Sequence, residues 1–228
     1  MTEPEAVAQR YARRAAGDRY SALRPEVWQM LQERQRTMLR LLRRRGINDV
    51  SQLQLTEVGC GTGGNLLEFL RLGFPPEHLI GIELVPERHA LARHVLPAAT
   101  QVWLGDAMHA PVAAASQDLV FQSTVFSSLL DDDFQGQLAN KMWQWLRPGG
   151  AVLWYDFTFN NPHNADVRGV PLRRVRELFP SAQIRAQRVT LAPPLARAAC
   201  RLHHSLYTFF NALPMLRTHV LAWVEKPR

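Results

Sequence analysis

Glu57, Glu83 and Asp106 are the residues whose types and spacing suggest chemistry. Each stands at or near the end of a short apolar stretch, and the first is followed at once by Gly59, Gly61, Gly63 and Gly64. Glycines are needed where the backbone takes positive φ or comes close to a ligand. Gly59, Gly61 and Gly64 satisfy G-x-G-x-x-G, and Glu83 follows at about the separation of a ribose-binding acid. A dinucleotide is therefore one formal reading. Two acids weigh against it. Glu57, just before the first glycine, would repel a pyrophosphate but would hold an ammonium group, and Asp106 adds a third carboxylate at a third strand end. Three such acids suit a cationic ligand with a ribose and an adenine.

S-adenosylmethionine is a ligand of that description. Leu53 to Val58 reads as a strand, the glycines as a turn, and Asn65 to Leu72 as the helix that follows. A strand, glycine turn and helix N-terminus form a nucleotide-sized notch at the carboxyl end of a sheet. Leu79 to Leu84 is a near-continuous apolar run, as in a central parallel strand. Glu83 at its end can accept two ribose hydroxyls side by side. Pro86 to Leu96 is the next helix, Gln101 to Leu104 the third strand and Gln117 to Gln122 the fourth. Asp131, Asp132 and Asp133 open a helix running to about Leu146, where acids favour the helix start. Pro148 to Gly150 turns the chain into a strand over Ala151 to Phe157.

Glu57 to Gly63, Gly81 to Leu84, Gly105 to Met108 and Leu146 to Gly150 together resemble the class I S-adenosylmethionine-dependent methyltransferases in order and spacing. The resemblance covers roughly residues 50 to 160. It implies an α/β fold: a Rossmann-like, doubly wound, mostly parallel seven-stranded sheet with an antiparallel last strand and an N-terminal helical cap. It divides the chain into a cap or lid over 1–48 and a cofactor-binding domain over 49–228, with a helical insertion at about 193–214. By the same resemblance, S-adenosylmethionine is the cofactor and S-adenosylhomocysteine the product. The implied cofactor residues are Glu57, Gly59, Cys60, Gly61, Gly63, Asn65, Glu83, Leu84, Asp106, Ala107, Met108, Gln122 and Ser123, with Tyr20 from the cap. Asp106 accepts from the adenine amino group, flanked by Ala107 and Met108, and Gln122, Ser123 and Phe126 line the methionine end or the acceptor. Tyr11, Arg14 and Tyr20 are lid candidates, and equally suit packing on the cap.

The 228 residues suit one domain with appendages. No apolar run reaches the ~18 residues of a membrane span, and Met1 to Glu5 lacks the apolar segment of a signal peptide. Cys60 and Cys200, the only cysteines, make no disulfide framework or metal cluster. Cys60 reads as a small filler in the turn, and the whole fits a reducing cytoplasm. The net charge is +7, and residues 1 to 45 hold eleven arginines against five acids. That basic end fits a solvated amphipathic helix, or a nucleic acid, an anionic membrane or a phosphorylated substrate.

The acceptor is less defined. His163 lies in the polar loop after the fifth strand, and no other histidine falls at an expected catalytic edge. It could take a proton from a hydroxyl, or be a loop residue. Asp156 and Arg168 could form a structural pair. The loop over 160–169 and the stretch Leu213 to His219 are similar to methyltransferases of bacterial saccharide and secondary-metabolite clusters. O-methylation of a sugar or another small hydroxylated metabolite is the leading reading. RNA or other nucleic-acid methylation is the alternative, weakened by the lack of an Asn-Pro-Pro-Tyr or Asp-Pro-Pro-Tyr tetrapeptide. An NAD-dependent oxidoreductase and a non-catalytic S-adenosylmethionine-binding protein stay open. The apolar stretch over 195–213 reads as one helix that could roof the acceptor pocket, pair with a second copy as a homodimer, touch a membrane surface or pack on its own domain.

Overall fold

The computed structural model describes residues 1–13, 21–162 and 164–228. Seven strands form one sheet: β1 (Leu55–Val58), β2 (Leu79–Glu83), β3 (Gln101–Leu104), β4 (Gln117–Ser123), β5 (Leu146–Phe157), β6 (Gln183–Leu191) and β7 (Arg217–Glu225). Their order is β3-β2-β1-β4-β5-β7-β6. β1 to β5 pair in parallel, and β7 lies antiparallel between β5 and β6. The order reverses beside β1, which opens a crevice at the carboxyl ends of β1 and β4.

Alternating side chains of the central strands feed two apolar layers. Val58, Val120, Val152 and Trp154 pack on one face, with α5 (Asp132–Trp145) and α6 (Leu172–Leu178). Leu55, Leu119, Ala151, Leu153 and Tyr155 pack on the other, against α2 (Pro25–Arg44), α3 (Gly64–Leu72) and α4 (Pro86–Val95). Trp145, Trp154, Phe69 and Phe121 are all almost fully buried, each contributing about 1.5–3 kcal/mol of transfer free energy.

Helix α1 (Glu3–Ala12) starts on a capping box between Thr2 and Glu5 and is tethered to the domain from within. Arg10 donates to Glu3 at 2.6 Å and to the Ser128 carbonyl at 2.9 Å, and Glu3 accepts the Leu130 N–H at 2.7 Å. Helix α2 is amphipathic and sends Met38, Leu41 and Leu42 into the second layer.

Several local expectations shift. The first strand starts at Leu55, because the chain over 50–53 makes a turn closed by the Leu53 N–H to the Val50 carbonyl. The fifth strand begins at Leu146, and Gly149, at φ +78°, sits inside it with its N–H on the Lys226 carbonyl. The stretch read as one helix over 195–213 folds as two, α7 (Pro193–Leu202) and α8 (His204–Asn211), because His203 is extended at φ −165° and caps the second through Nδ1. Asp156 and Arg168 do not pair: Asp156 accepts the Ser127 and Phe157 N–H groups at 3.1 and 2.9 Å, while Arg168 pairs with Asp132.

Candidate cofactor site

The turn after β1 needs its glycines for conformation. Gly59, Gly61 and Gly63 have φ of +66°, +58° and +86°, the left-handed region that costs other residues about 1–2 kcal/mol. A Cβ on Gly61 would meet nothing within 4 Å, so the turn leaves open space there, whereas a Cβ on Gly59 would come within 2.6 Å of Val125 Cγ2. Cys60 fills the opposite side. Its thiol is buried against Gly81, where a Cβ would stand 2.8 Å from the sulfur. Burial pushes its pKa up, so it stays a neutral thiol.

The three acids hold three different positions. Glu83 is buried and grips the turn: its carboxylate accepts the Gly61 N–H at 2.7 Å and the Val85 N–H at 2.8 Å. Each oxygen can accept a second bond. Asp106 is half-buried, with one oxygen on the Met108 N–H at 3.0 Å and the other 3.6 Å from His109 Nδ1. Glu57 lies beneath the turn and is fully buried. Asn65 Nδ2 donates to its Oε1 at 2.6 Å, while Oε2 has no partner. Burial raises its pKa from the ordinary 4.5 to about 8, opposed by the Asn65 hydrogen bond and the charge of Arg34.

A cavity of about 140 Å³ opens at this edge of the sheet. Of the residues read from the sequence, Gly59, Glu83, Leu84, Asp106, Ala107 and Ser123 line it. Gly61, Gly63 and Asn65 sit behind them in the turn and the first turn of α3, and Met108 is half-buried in the short helix that Asp106 caps. Gln122 is fully buried and spent on the backbone: its Oε1 accepts the Val125 N–H at 3.0 Å and its Nε2 donates to the Tyr155 carbonyl at 3.4 Å. Phe126 is likewise buried, packed on Trp154 at 4.5 Å between ring centroids. Tyr11 of α1 lines the cavity with Pro4 and Val7, under the Arg88 guanidinium at 4.3 Å. Tyr20, Arg14 and His163 lie outside the described residues.

Two residues near the turn and the sheet edge were not among those expected from the sequence. Arg34, from the middle of α2, is buried behind the turn. It donates to Asn65 Oδ1 at 2.5 Å, to Ser123 Oγ at 3.2 Å and to Glu68 at 3.3 Å, lies over the Tyr155 ring at 5.2 Å, and its Nε has no partner. It joins the first helix after the turn to the end of β4. The second is His219. Because β7 is antiparallel, its first residues lie at the carboxyl edge, and His219 pairs with Phe157. Its ring stacks on Tyr155 at 5.0 Å and its Nδ1 is 3.0 Å from Thr218 Oγ1. Burial, with the Arg34 charge, lowers its pKa to about 4, so the imidazole is neutral near pH 7. The expectation that no histidine besides His163 falls at this edge is corrected by His219.

Thr124, which follows β4, is a non-glycine residue in the left-handed region, at φ +59°. Its N–H is on the Tyr155 carbonyl at 2.8 Å, and it lines the cavity beside Ser123. A strained backbone held by its surroundings is a recurrent feature of ligand sites.

Comparison with known proteins matches the fold that carries this site. Residues 56–150 match a methyltransferase domain family. A malonyl-[acyl-carrier protein] O-methyltransferase from Hahella chejuensis is 37% identical over 102 residues, 43% of this chain and 34% of that protein. The matched stretch thus spans about a third of the curated relative. An S-adenosylmethionine-dependent methyltransferase from Mesorhizobium loti superposes with a TM-score of 0.59 at 15% identity, covering 80% of this chain and 95% of that one. A phosphoethanolamine N-methyltransferase from Haemonchus contortus, solved with S-adenosyl-L-methionine, gives 0.59 at 17% identity over 85% of this chain and 53% of that one. With the glycine turn, its acids and the 3-2-1-4-5-7-6 sheet all in place, the chain has the fold of the class I S-adenosylmethionine-dependent methyltransferases and, over residues 56–150, the sequence of a methyltransferase domain.

Proposed function

We propose that the chain transfers a methyl group from S-adenosylmethionine to a hydroxyl of a sugar or another small metabolite. The observation that carries the cofactor half is the pairing of a grip and an unmet acceptor. Glu83 locks the glycine turn through Gly61, while Glu57 keeps a buried carboxylate oxygen without a partner beneath it. An ammonium group supplies that partner. Glu83 would accept the ribose hydroxyls, Asp106 the adenine amino group, and Ala107 and Leu84 would flank the base. Arg34, with its free Nε, suits the carboxylate of the same amino-acid end. A diphosphate has no use for Glu57, which argues against a dinucleotide.

When bound, S-adenosylmethionine supplies a methyl group already activated on a sulfonium, so the protein mainly has to align the acceptor. Ser123 and Thr124 line the cavity at the end of β4, next to the edge that His219 occupies. A neutral imidazole there can accept a hydrogen bond from an acceptor hydroxyl without adding positive charge beside the sulfonium. His219, whose buried ring stacks on Tyr155 outside the cavity lining, is thus a second candidate for the base beside His163. The two cysteines are free thiols, in keeping with a reducing cytoplasm.

Calorimetric titration with S-adenosylmethionine, S-adenosylhomocysteine and NAD tests the cofactor half. Binding of the first two alone is expected, and binding of NAD alone overturns the reading. A screen of hydroxylated sugars for S-adenosylhomocysteine release tests the acceptor half. Turnover only with an RNA substrate would replace it.

A further inference from the structure

Residues 178–224 contain five arginines and no aspartate or glutamate. Within this acid-free stretch, α7 and α8 form a corner after Leu191, where β6 ends at the carboxyl edge. The corner is seated from below by Ala196 and Tyr207, which are buried in a small cluster with Leu191, with Leu195 and Met30 packed against it. Its outer side carries large apolar side chains in water: Leu202 is 81% exposed, Phe209 66% and Met215 79%. Leu202 ends α7, and Phe209 lies on α8 beyond the extended His203. Among the described residues Arg197 and Arg201, on α7, have no ion-pair partner, whereas Arg217 is tied to the Asn211 and Arg188 carbonyls. Two acids of α2 lie near: Glu26, close to Cys200 and already paired with Arg24 at 3.0 Å, and Glu33, buried under the corner, which accepts from the Tyr207 hydroxyl at 3.4 Å and the Thr190 N–H at 2.9 Å.

We propose that the α7–α8 corner docks on an anionic lipid surface, with Leu202, Phe209 and Met215 entering the interface and Arg197 and Arg201 meeting the phosphates. An amphipathic helix lies in the interface when apolar side chains and basic ones share its outer face, and basic residues near anionic lipid add attraction. Exposed apolar tips on two short helices suit a fluid layer that moulds around them. A second copy fits less well. A two-fold contact sets the same patch against itself, which would bring Arg197 and Arg201 face to face with their own counterparts and no acid between. A surface on this edge would also bring lipid-borne acceptors to the side of the sheet that holds the cofactor turn.

The test is flotation of the full chain with vesicles of phosphatidylcholine, alone or with one third phosphatidylglycerol. The chain is expected to float with the anionic vesicles only, and less at high salt. Phe209→Ser combined with Met215→Ser should lower the bound fraction about tenfold, and Arg197→Glu with Arg201→Glu should do likewise. Both variants should keep wild-type affinity for S-adenosylmethionine, which shows that they fold. The proposal is overturned if the wild type stays with the unbound fraction, floats equally with neutral vesicles, or floats no better than the variants. It is also overturned, in favour of a second copy, if light scattering shows a dimer that Phe209→Ser dissolves.

Discussion

Neutralising Glu57 should separate the cost of this carboxylate from its use. It is fully buried, its Oε2 has no partner, and burial carries its pKa from 4.5 to about 8. That difference corresponds to about 5 kcal/mol of penalty on the charged form at most. The folded state therefore holds this proton more tightly than the unfolded chain. Its stability is undiminished below 4.5, falls as pH rises towards about 8, and is lowest above that. Glu57→Gln keeps the shape and removes the titration. At about pH 9 the variant should be more stable than the wild type by about 3–5 kcal/mol, which moves Tm by about 10 °C for a chain of this size. At about pH 5 the two should melt together.

Ligand binding should show the opposite face of the same group. An ammonium beside Glu57 favours the carboxylate, so at about pH 7 binding should release close to one proton, and affinity should rise up to about tenfold per pH unit until about pH 8. Glu57→Gln should lose the proton release and, at about pH 8, about 10–100-fold in affinity. Differential scanning calorimetry against pH, and titration calorimetry in two buffers of different ionisation enthalpy, read both quantities. A wild type whose melting and affinity are flat from about pH 5 to about pH 9 would refute the reasoning, as would a Glu57→Gln variant that follows the wild-type pH curve.

The grip of Glu83 is expected to matter more than its charge alone. Glu83→Ala removes acceptors from the Gly61 and Val85 N–H groups and should weaken S-adenosylmethionine by at least about 100-fold, at about 1.5–3 kcal/mol for each charged hydrogen bond lost. Gly61→Arg meets nothing within 4 Å of its Cβ but keeps the positive φ of +58°, so it should cost about 1–2 kcal/mol of stability yet abolish binding by filling that space; equilibrium dialysis reads the loss. Gly81→Ala should destabilise by about 1–3 kcal/mol through overpacking, because its Cβ would meet Cys60 Sγ at 2.8 Å, and adding Cys60→Ala should recover part of it in urea unfolding. His219→Ala should lower kcat far more than cofactor affinity if the imidazole takes the hydrogen bond, whereas wild-type kcat would return the role to His163 or to no base.

Much of the fold was legible because its signals are local. The strand, glycine turn and helix around Glu57 are neighbours in the chain, and positive φ at Gly59, Gly61 and Gly63 is something a sequence announces through residue type. The acid-rich start of α5 is local in the same way: Asp131 accepts the Asp133 and Phe134 N–H groups. The break at His203 was not legible, since no glycine or proline marks it between the two apolar helices. Gln122 shows the limit within a strand, where alternation gives a face but not the backbone groups its amide meets.

By itself, then, the sequence determined the turn, the three acids and the family of ligand they suit, because each is a property of residue type at short spacing. Only the tertiary structure decided that Glu57 lies beneath the turn with an unmet oxygen while Glu83 and Asp106 line the cavity. It alone brought Arg34 from 31 residues upstream onto Asn65, a contact set by how α2 packs across the sheet. It alone placed His219 beside Phe157, since an antiparallel last strand begins at the edge where its parallel neighbours end. Burial, charge balance and edge are properties of the folded chain, and they depend on which distant segments exclude water together.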